Sequence, residues 1–285
     1  MIVAVKKLWE RIDSKRPPIV SVIRLEGVIG AGGRFQRGLN LDAVASEIEA
    51  AFASKRVRAV ALVINSPGGA PVQAELIRRR LTDLSAEKDI PLIAFCEDVA
   101  ASGGYWLACA APKIYALEAS VIGSIGVISA GFGAPELLAK IGLERRIYAA
   151  GTQKSMLDPF QPEKADDVAR LKALQEDIHN DFKKLVRDSR TDRLTAPEDE
   201  LFNGAFWTGK KAQELGLIDD IGELRQVMRQ QFGENVKFRT RRKRRGLMAR
   251  LGMASDSAAG NWVGDWIEAG FDALEARALW ARFGR

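Results

Sequence analysis

Val57-Arg-Ala-Val-Ala-Leu-Val-Ile64 runs on through Asn65-Ser66 into the turn Pro67-Gly68-Gly69. An apolar, β-branched run this continuous is the pattern of a strand buried on both faces, as in a mostly parallel sheet covered by helices. The glycine turn ends the strand, and the span from Val72 to Leu84 reads as a helix. Strand, glycine turn and helix in that order form the unit of an α/β fold.

The alternation extends in both directions. Strands are predicted at Ile19 to Leu25, Val57 to Ile64, Pro91 to Cys96, Lys113 to Leu117, Gly126 to Ser129 and Arg145 to Ala149. Helices are predicted at Leu41 to Ala53, Val72 to Leu84, Gly103 to Ala110 and Pro135 to Lys140. A longer amphipathic helix should follow Pro162, because Val168, Leu171, Leu174, Ile178, Phe182 and Leu185 recur at three- and four-residue intervals. The class is α/β, built of repeated strand-strand-helix turns.

With 47% of its 285 residues hydrophobic, the chain can bury a full core, which excludes disorder throughout. Cys96 and Cys109 are too few and too irregularly spaced for a disulfide framework or a zinc site, and they favour a reducing compartment. The apolar run at the N-terminus is five residues, against the roughly 20 of a spanning helix, so neither a signal peptide nor a membrane span is expected. The expected location is cytoplasmic, with peripheral contact at the inner membrane as the variant.

Two segments carry the chemistry: Val99-Ala-Ala-Ser102-Gly-Gly-Tyr-Trp106 and Ala150-Gly-Thr-Gln-Lys154-Ser-Met-Leu-Asp-Pro-Phe160. A serine nucleophile needs a base for its proton, and a chain with one histidine points to a lysine. His179 falls on the long helix, where a packing role is expected of it. Ser102 lies where a strand gives way to a glycine-led helix start, and unpaired backbone amides there favour developing negative charge. The turn at Gly68 and Gly69 can present amides to an oxyanion, although an ordinary strand-helix loop has the same composition. Lys154 is flanked by hydroxyl residues that can hold an amine. Ser102 and Lys154 read as a Ser-Lys dyad.

Five motifs in order resemble the signal peptide peptidase A family of bacterial serine peptidases, in its short single-repeat form. They are Val63 to Gly69, Ala101-Ser-Gly-Gly-Tyr105, Gly123-Ser124-Ile-Gly-Val127, Gly151 to Phe160, and Phe206-Trp-Thr-Gly209 with Ala212 to Asp219. The resemblance runs from Ile19 to about Leu224. It implies a fold similar to the crotonase and caseinolytic-protease superfamily, with Ser102 as nucleophile, Lys154 as general base, Ser124 orienting the lysine amine, and Gly68 and Gly69 lining the oxyanion hole. It implies no cofactor and no metal. The substrates it implies are signal-peptide remnants and other membrane-derived or unfolded peptides. It also implies a homo-oligomer whose sites lie at subunit interfaces, serine from one copy and lysine from the next. The membrane anchor typical of that family has no counterpart in the sequence. Two other classes share the fold: a crotonase-like acyl-thioester enzyme, independent of Ser102 and binding coenzyme A, and a non-catalytic membrane-associated scaffold.

The expected domains are an N-terminal extension at 1–18, a peptidase domain at 19–232 and a tail at 233–285. Eight Lys and Arg residues lie between Lys237 and Arg250, more than the whole net charge of +6. A Gly/Ala/Ser linker and an amphipathic helix with Trp262 and Trp266 follow. The tail is read as docking on membrane, on a neighbouring subunit or on another partner. Nucleic acid is not expected, because no aromatic platform accompanies the basic run.

Overall fold

The computed structural model describes residues 17–30, 38–240, 274 and 276–284. Eight strands form one mostly parallel sheet: β1 (Ile19–Glu26), β2 (Val57–Ser66), β3 (Leu92–Ala101), β4 (Lys113–Ala116), β5 (Val121–Gly123), β6 (Phe206–Thr208), β7 (Asp220–Ile221) and β8 (Lys237–Thr240). The order is β6-β5-β3-β2-β1-β8, with β4 beside β3 and β7 beside β4. Among the described residues only β5 and β6 pair antiparallel. The helices are α1 (Leu41–Phe52), α2 (Pro71–Lys88), α3 (Gly103–Ala108), α4 (Pro135–Lys140), α5 (Ala165–Arg190), α6 (Glu198–Leu201), α7 (Gly209–Glu214) and α8 (Leu224–Phe232). This is the α/β architecture read from the sequence, a fold like that of crotonases and Clp proteases.

Strand β3 creates the geometry of the site. Its first half pairs with β4 through Ile93 to Cys96, and its second half pairs with β5 through Val99 to Ala101. The β2–β3 register shifts between Ile64 and Ser66, so β3 carries extra residues there and its end projects toward α3. One face of the sheet packs on α1, α2, α3 and α5 in the main core, and the other packs Met228 of α8 with Val236 on Val22, Val63 and Phe95.

Two predicted strands are absent. Gly126 to Ser129 and Arg145 to Ala149 are irregular, and the strand in this region is β5, just upstream. The physical reason is lack of cover: from 126 to 166 no residue is buried, so among the described residues neither run has a partner strand or a core to pack on. Of the basic tail, Lys237–Thr240 forms edge strand β8, paired with β1. The expected N-terminal extension up to residue 16, the linker and the Trp262/Trp266 helix lie outside the described residues.

Candidate active site

Strand β2 delivers the turn and β3 delivers the serine. Ile29 donates to the Gly68 carbonyl at 2.8 Å, and the Ala70 amide donates to Ile29 at 2.8 Å, which pins the turn against a short strand-like bridge. Gly69, at φ 137°, allows this approach, since a Cβ there would stand 2.0 Å from the Ile29 carbonyl oxygen. The Ser66 hydroxyl ties the turn further, donating to the Gly27 carbonyl at 2.6 Å and accepting from the Gly68 amide at 3.2 Å.

Ser102 follows the end of β3 with φ 53° and ψ −123°, an uncommon conformation for a residue with a side chain. Its amide donates to the Gly123 carbonyl at 2.8 Å, and its carbonyl accepts from Trp106 at 3.0 Å, opening α3. Helix α3 presses onto β2 because residue 104 is glycine: a Cβ there would meet the Ser66 carbonyl oxygen at 2.5 Å. A Cβ on Gly103 would lie 3.4 Å from both the Gly68 α-carbon and the Gly69 amide nitrogen. The turn and the helix start are therefore in direct contact.

Among the described residues the amides of Gly69 and Gly103 have no acceptor, whereas that of Gly68 is taken by Ser66. Gly103 was not singled out in the sequence. Its position, one residue past Ser102 at the first position of a helix, is the signal that could have found it. Ser124 is 5% exposed and sits at φ 52°, its amide held by the Ala205 carbonyl at 2.6 Å. Ser102, Ser124, Gly68 and Gly69 thus lie on segments joined by hydrogen bonds or direct contact.

Lys154 is exposed in a turn of the arm from 126 to 166. Its amine has no hydrogen bond or ion pair among the described residues, and neither the Ser102 nor the Ser124 hydroxyl has a partner there. The arm holds its shape through Ala134 to Pro159 at 2.7 Å and Arg145 to Asp158 at 3.2 Å, with Arg145 over the Phe160 ring. Its apolar residues face outward, with Phe132 at 86% and Tyr148 at 92% exposure. His179 packs as expected of it, its Nε2 3.1 Å from the Ile125 carbonyl oxygen.

Behind the site, fully buried Arg190 helps lock the last motif to α3. It donates to the Gly216 carbonyl at 2.9 Å and to Asp219 at 2.9 Å, while Tyr105 of α3 donates to the Leu217 carbonyl at 2.6 Å. Burial pushes the Asp219 carboxyl up, but hydrogen bonds from Arg190, the Ile114 amide and Arg193 outweigh it and leave the group below the usual range. Burial also raises the Cys96 and Cys109 thiols, Cys109 to about 11, so both are inert thiols of the core. Among the described residues no cluster of side chains could hold a metal ion.

Fold and site together place the chain among α/β proteins with the crotonase/Clp-protease-like fold. Residues 85–235 match Peptidase family S49. The chain is 32% identical over 208 residues to the chloroplastic serine protease SPPA of Arabidopsis thaliana, covering 72% of this chain and 29% of that protein. A putative protease of Synechocystis is 30% identical over 215 residues, covering 75% and 73% of the two chains. The chain belongs to peptidase family S49, and it is similar to the signal peptide peptidase A members of that family. A protein of Brucella abortus named Na(+)/H(+) antiporter NhaA is 48% identical over 271 residues, which is 93% of this chain and 37% of that protein. The chain therefore spans little more than a third of that relative, whose name describes a whole. Among the described residues no helix is long and apolar enough to cross a membrane.

Proposed function

We propose that the chain is a serine endopeptidase whose site is completed by a second copy. The observation that carries this reading is the pairing of Ser102, at the start of α3, with the unpaired amides of Gly69 and Gly103. The Ser102 hydroxyl attacks the peptide carbonyl while the neutral amine of Lys154 takes its proton. The oxygen that becomes negative is received by the Gly69 and Gly103 amides, and Gly68 supplies the close approach that brings them together. Collapse breaks the C–N bond, the lysine proton passes to the leaving amine, and an acyl-Ser102 ester remains. Water, deprotonated by Lys154, hydrolyses it. Each step uses only side chains, backbone amides and water.

Lys154 reaches Ser102 from a neighbouring copy in this reading. The support is the exposed arm, whose outward aromatic residues have no cover among the described residues. Ser124, beside the serine, orients the incoming amine. The substrates are peptides, including signal-peptide remnants and other membrane-derived or unfolded segments. The relative of Enterococcus faecium named as a putative signal peptide peptidase, 32% identical over 168 residues, supports that class. A workplace at a membrane surface draws support from the antiporter-named relatives, and the basic run from Lys237 offers anionic lipid a charge partner.

The test is cleavage of an unfolded protein and of a signal-peptide-like peptide by wild type, Ser102→Ala and Lys154→Ala, with the size of each assembly measured. Loss of cleavage in both variants at unchanged size supports the dyad. Equal cleavage in all three would overturn it.

A further inference from the structure

The outer face of the sheet next to Ser102 is covered by the far end of the chain. Residues 276–281 are helical, and Phe283, just beyond them, is only 8% exposed. Phe283 closes a small apolar cluster with Val99 and Ala101, both fully buried, and with the partly buried Val121 and Trp280. Its ring meets that of Phe206 edge-on, with centroids 5.1 Å apart. The cluster bridges three neighbouring strands: Val99 and Ala101 belong to β3, Val121 to β5 and Phe206 to β6.

These strands present the site. Ala101 precedes Ser102, and β5 ends at Gly123, whose carbonyl holds the Ser102 amide. The next residue is Ser124, held by Ala205 at the entry to β6. A side-chain-bearing residue in a sparsely populated backbone conformation is strained and persists only where its surroundings over-determine it. On the inner face that constraint comes from Gly68 and from the Trp207 ring, which a Cβ on Gly123 would meet at 2.8 Å. On the outer face, among the described residues, it comes from the cluster around Phe283.

We infer that Phe283 is a positioning residue of the catalytic centre, a wedge that holds the ends of β3, β5 and β6 together so that Ser102 keeps its strained conformation. The inference rests on the reading of Ser102 as the nucleophile. Phe283 lies beyond residues 85–235, outside the stretch that matches the family.

The test compares wild type, Phe283→Ala, Phe283→Leu and Phe206→Leu in the full chain. Four quantities are read: the rate at which a small fluorophosphonate labels Ser102, kcat and KM on a peptide, melting temperature, and assembly size. The expected result is a fall of at least about tenfold in labelling rate and kcat for Phe283→Ala, because small misplacements of a reacting group are costly. KM and assembly should stay within about twofold of wild type, and Phe283→Leu should recover most of the rate by restoring apolar volume. Should Phe283→Ala fail to fold, Phe206→Leu removes the ring contact from the other side and should lower labelling in the same direction. Wild-type labelling in the folded variants overturns the inference, and faster labelling overturns it in favour of a cover over the site. A wild type whose Ser102 is never labelled would instead remove the nucleophile assignment and this inference with it.

Discussion

A Cβ built on Gly68 would stand 2.7 Å from the Cβ of Ser102 and 2.9 Å from the Gly103 amide nitrogen. The turn and Ser102 thus touch at a position where a side chain has no room. Gly68 also sits at φ 106°, a region that L side chains rarely adopt. Gly68→Ala should abolish fluorophosphonate labelling of Ser102 and lower cleavage by about a hundredfold or more. Assembly should survive, and gel filtration beside the labelling assay checks both.

Arg190 and Asp219 form a buried ion pair, and losing Arg190 takes from the carboxylate one of its two close guanidinium partners, leaves the Gly216 carbonyl unmet and empties a large buried site. Arg190→Ala should destabilise the protein by about 3–5 kcal/mol, measured by urea unfolding. Arg190→Lys should recover little, because an ammonium cannot serve both the Gly216 carbonyl and Asp219 with the geometry of a guanidinium.

Burial pushes the Glu75 carboxyl up, but hydrogen bonds from Arg78, Arg79 and the Trp106 indole outweigh it and hold the group at about 2, against an ordinary 4.5. A carboxyl held low in the fold stabilises it fully above the unfolded value, and that stability is lost as pH falls through the folded one. Wild type should therefore lose stability between about pH 4.5 and pH 2. Glu75→Gln should flatten that part of the pH profile, with acid-induced unfolding followed by circular dichroism.

Much of the site was legible because it is local. The turn at Gly68 and Gly69 and the helix start at Ser102 are short patterns whose residue types are set by backbone geometry, so their sequence reports their shape. Strand β3 was read only to Cys96, because Glu97 and Asp98 break its apolar run where the register shifts. The Gly126 to Ser129 and Arg145 to Ala149 runs are apolar enough for strands, yet apolar composition also marks surface meant for a second chain, and sequence does not separate the two. Arg190, Tyr105 and Phe283 were not legible, since Gly216, Leu217 and Phe206, which they meet in turn, lie 26 or more positions away and depend on the finished fold.

The outward aromatics of the arm carry a separate expectation. Phe132→Ser with Tyr148→Ser removes no core contact, because both are exposed in the single chain. The double variant should keep its melting temperature within a few degrees, dissociate in sedimentation velocity, and lose cleavage in proportion. Full activity as a monomer would show that the arm serves no interface.

The central claim is that serine and lysine meet across a subunit boundary, and mixing inactive variants tests it most directly. Ser102→Ala and Lys154→Ala chains are denatured together in equal amounts, refolded, and compared with each variant refolded alone. Random assembly pairs an intact serine with a neighbour's intact lysine at about a quarter of the sites, so about a quarter of wild-type cleavage should return. A mixed assembly of wild-type size that cleaves nothing would contradict the shared site.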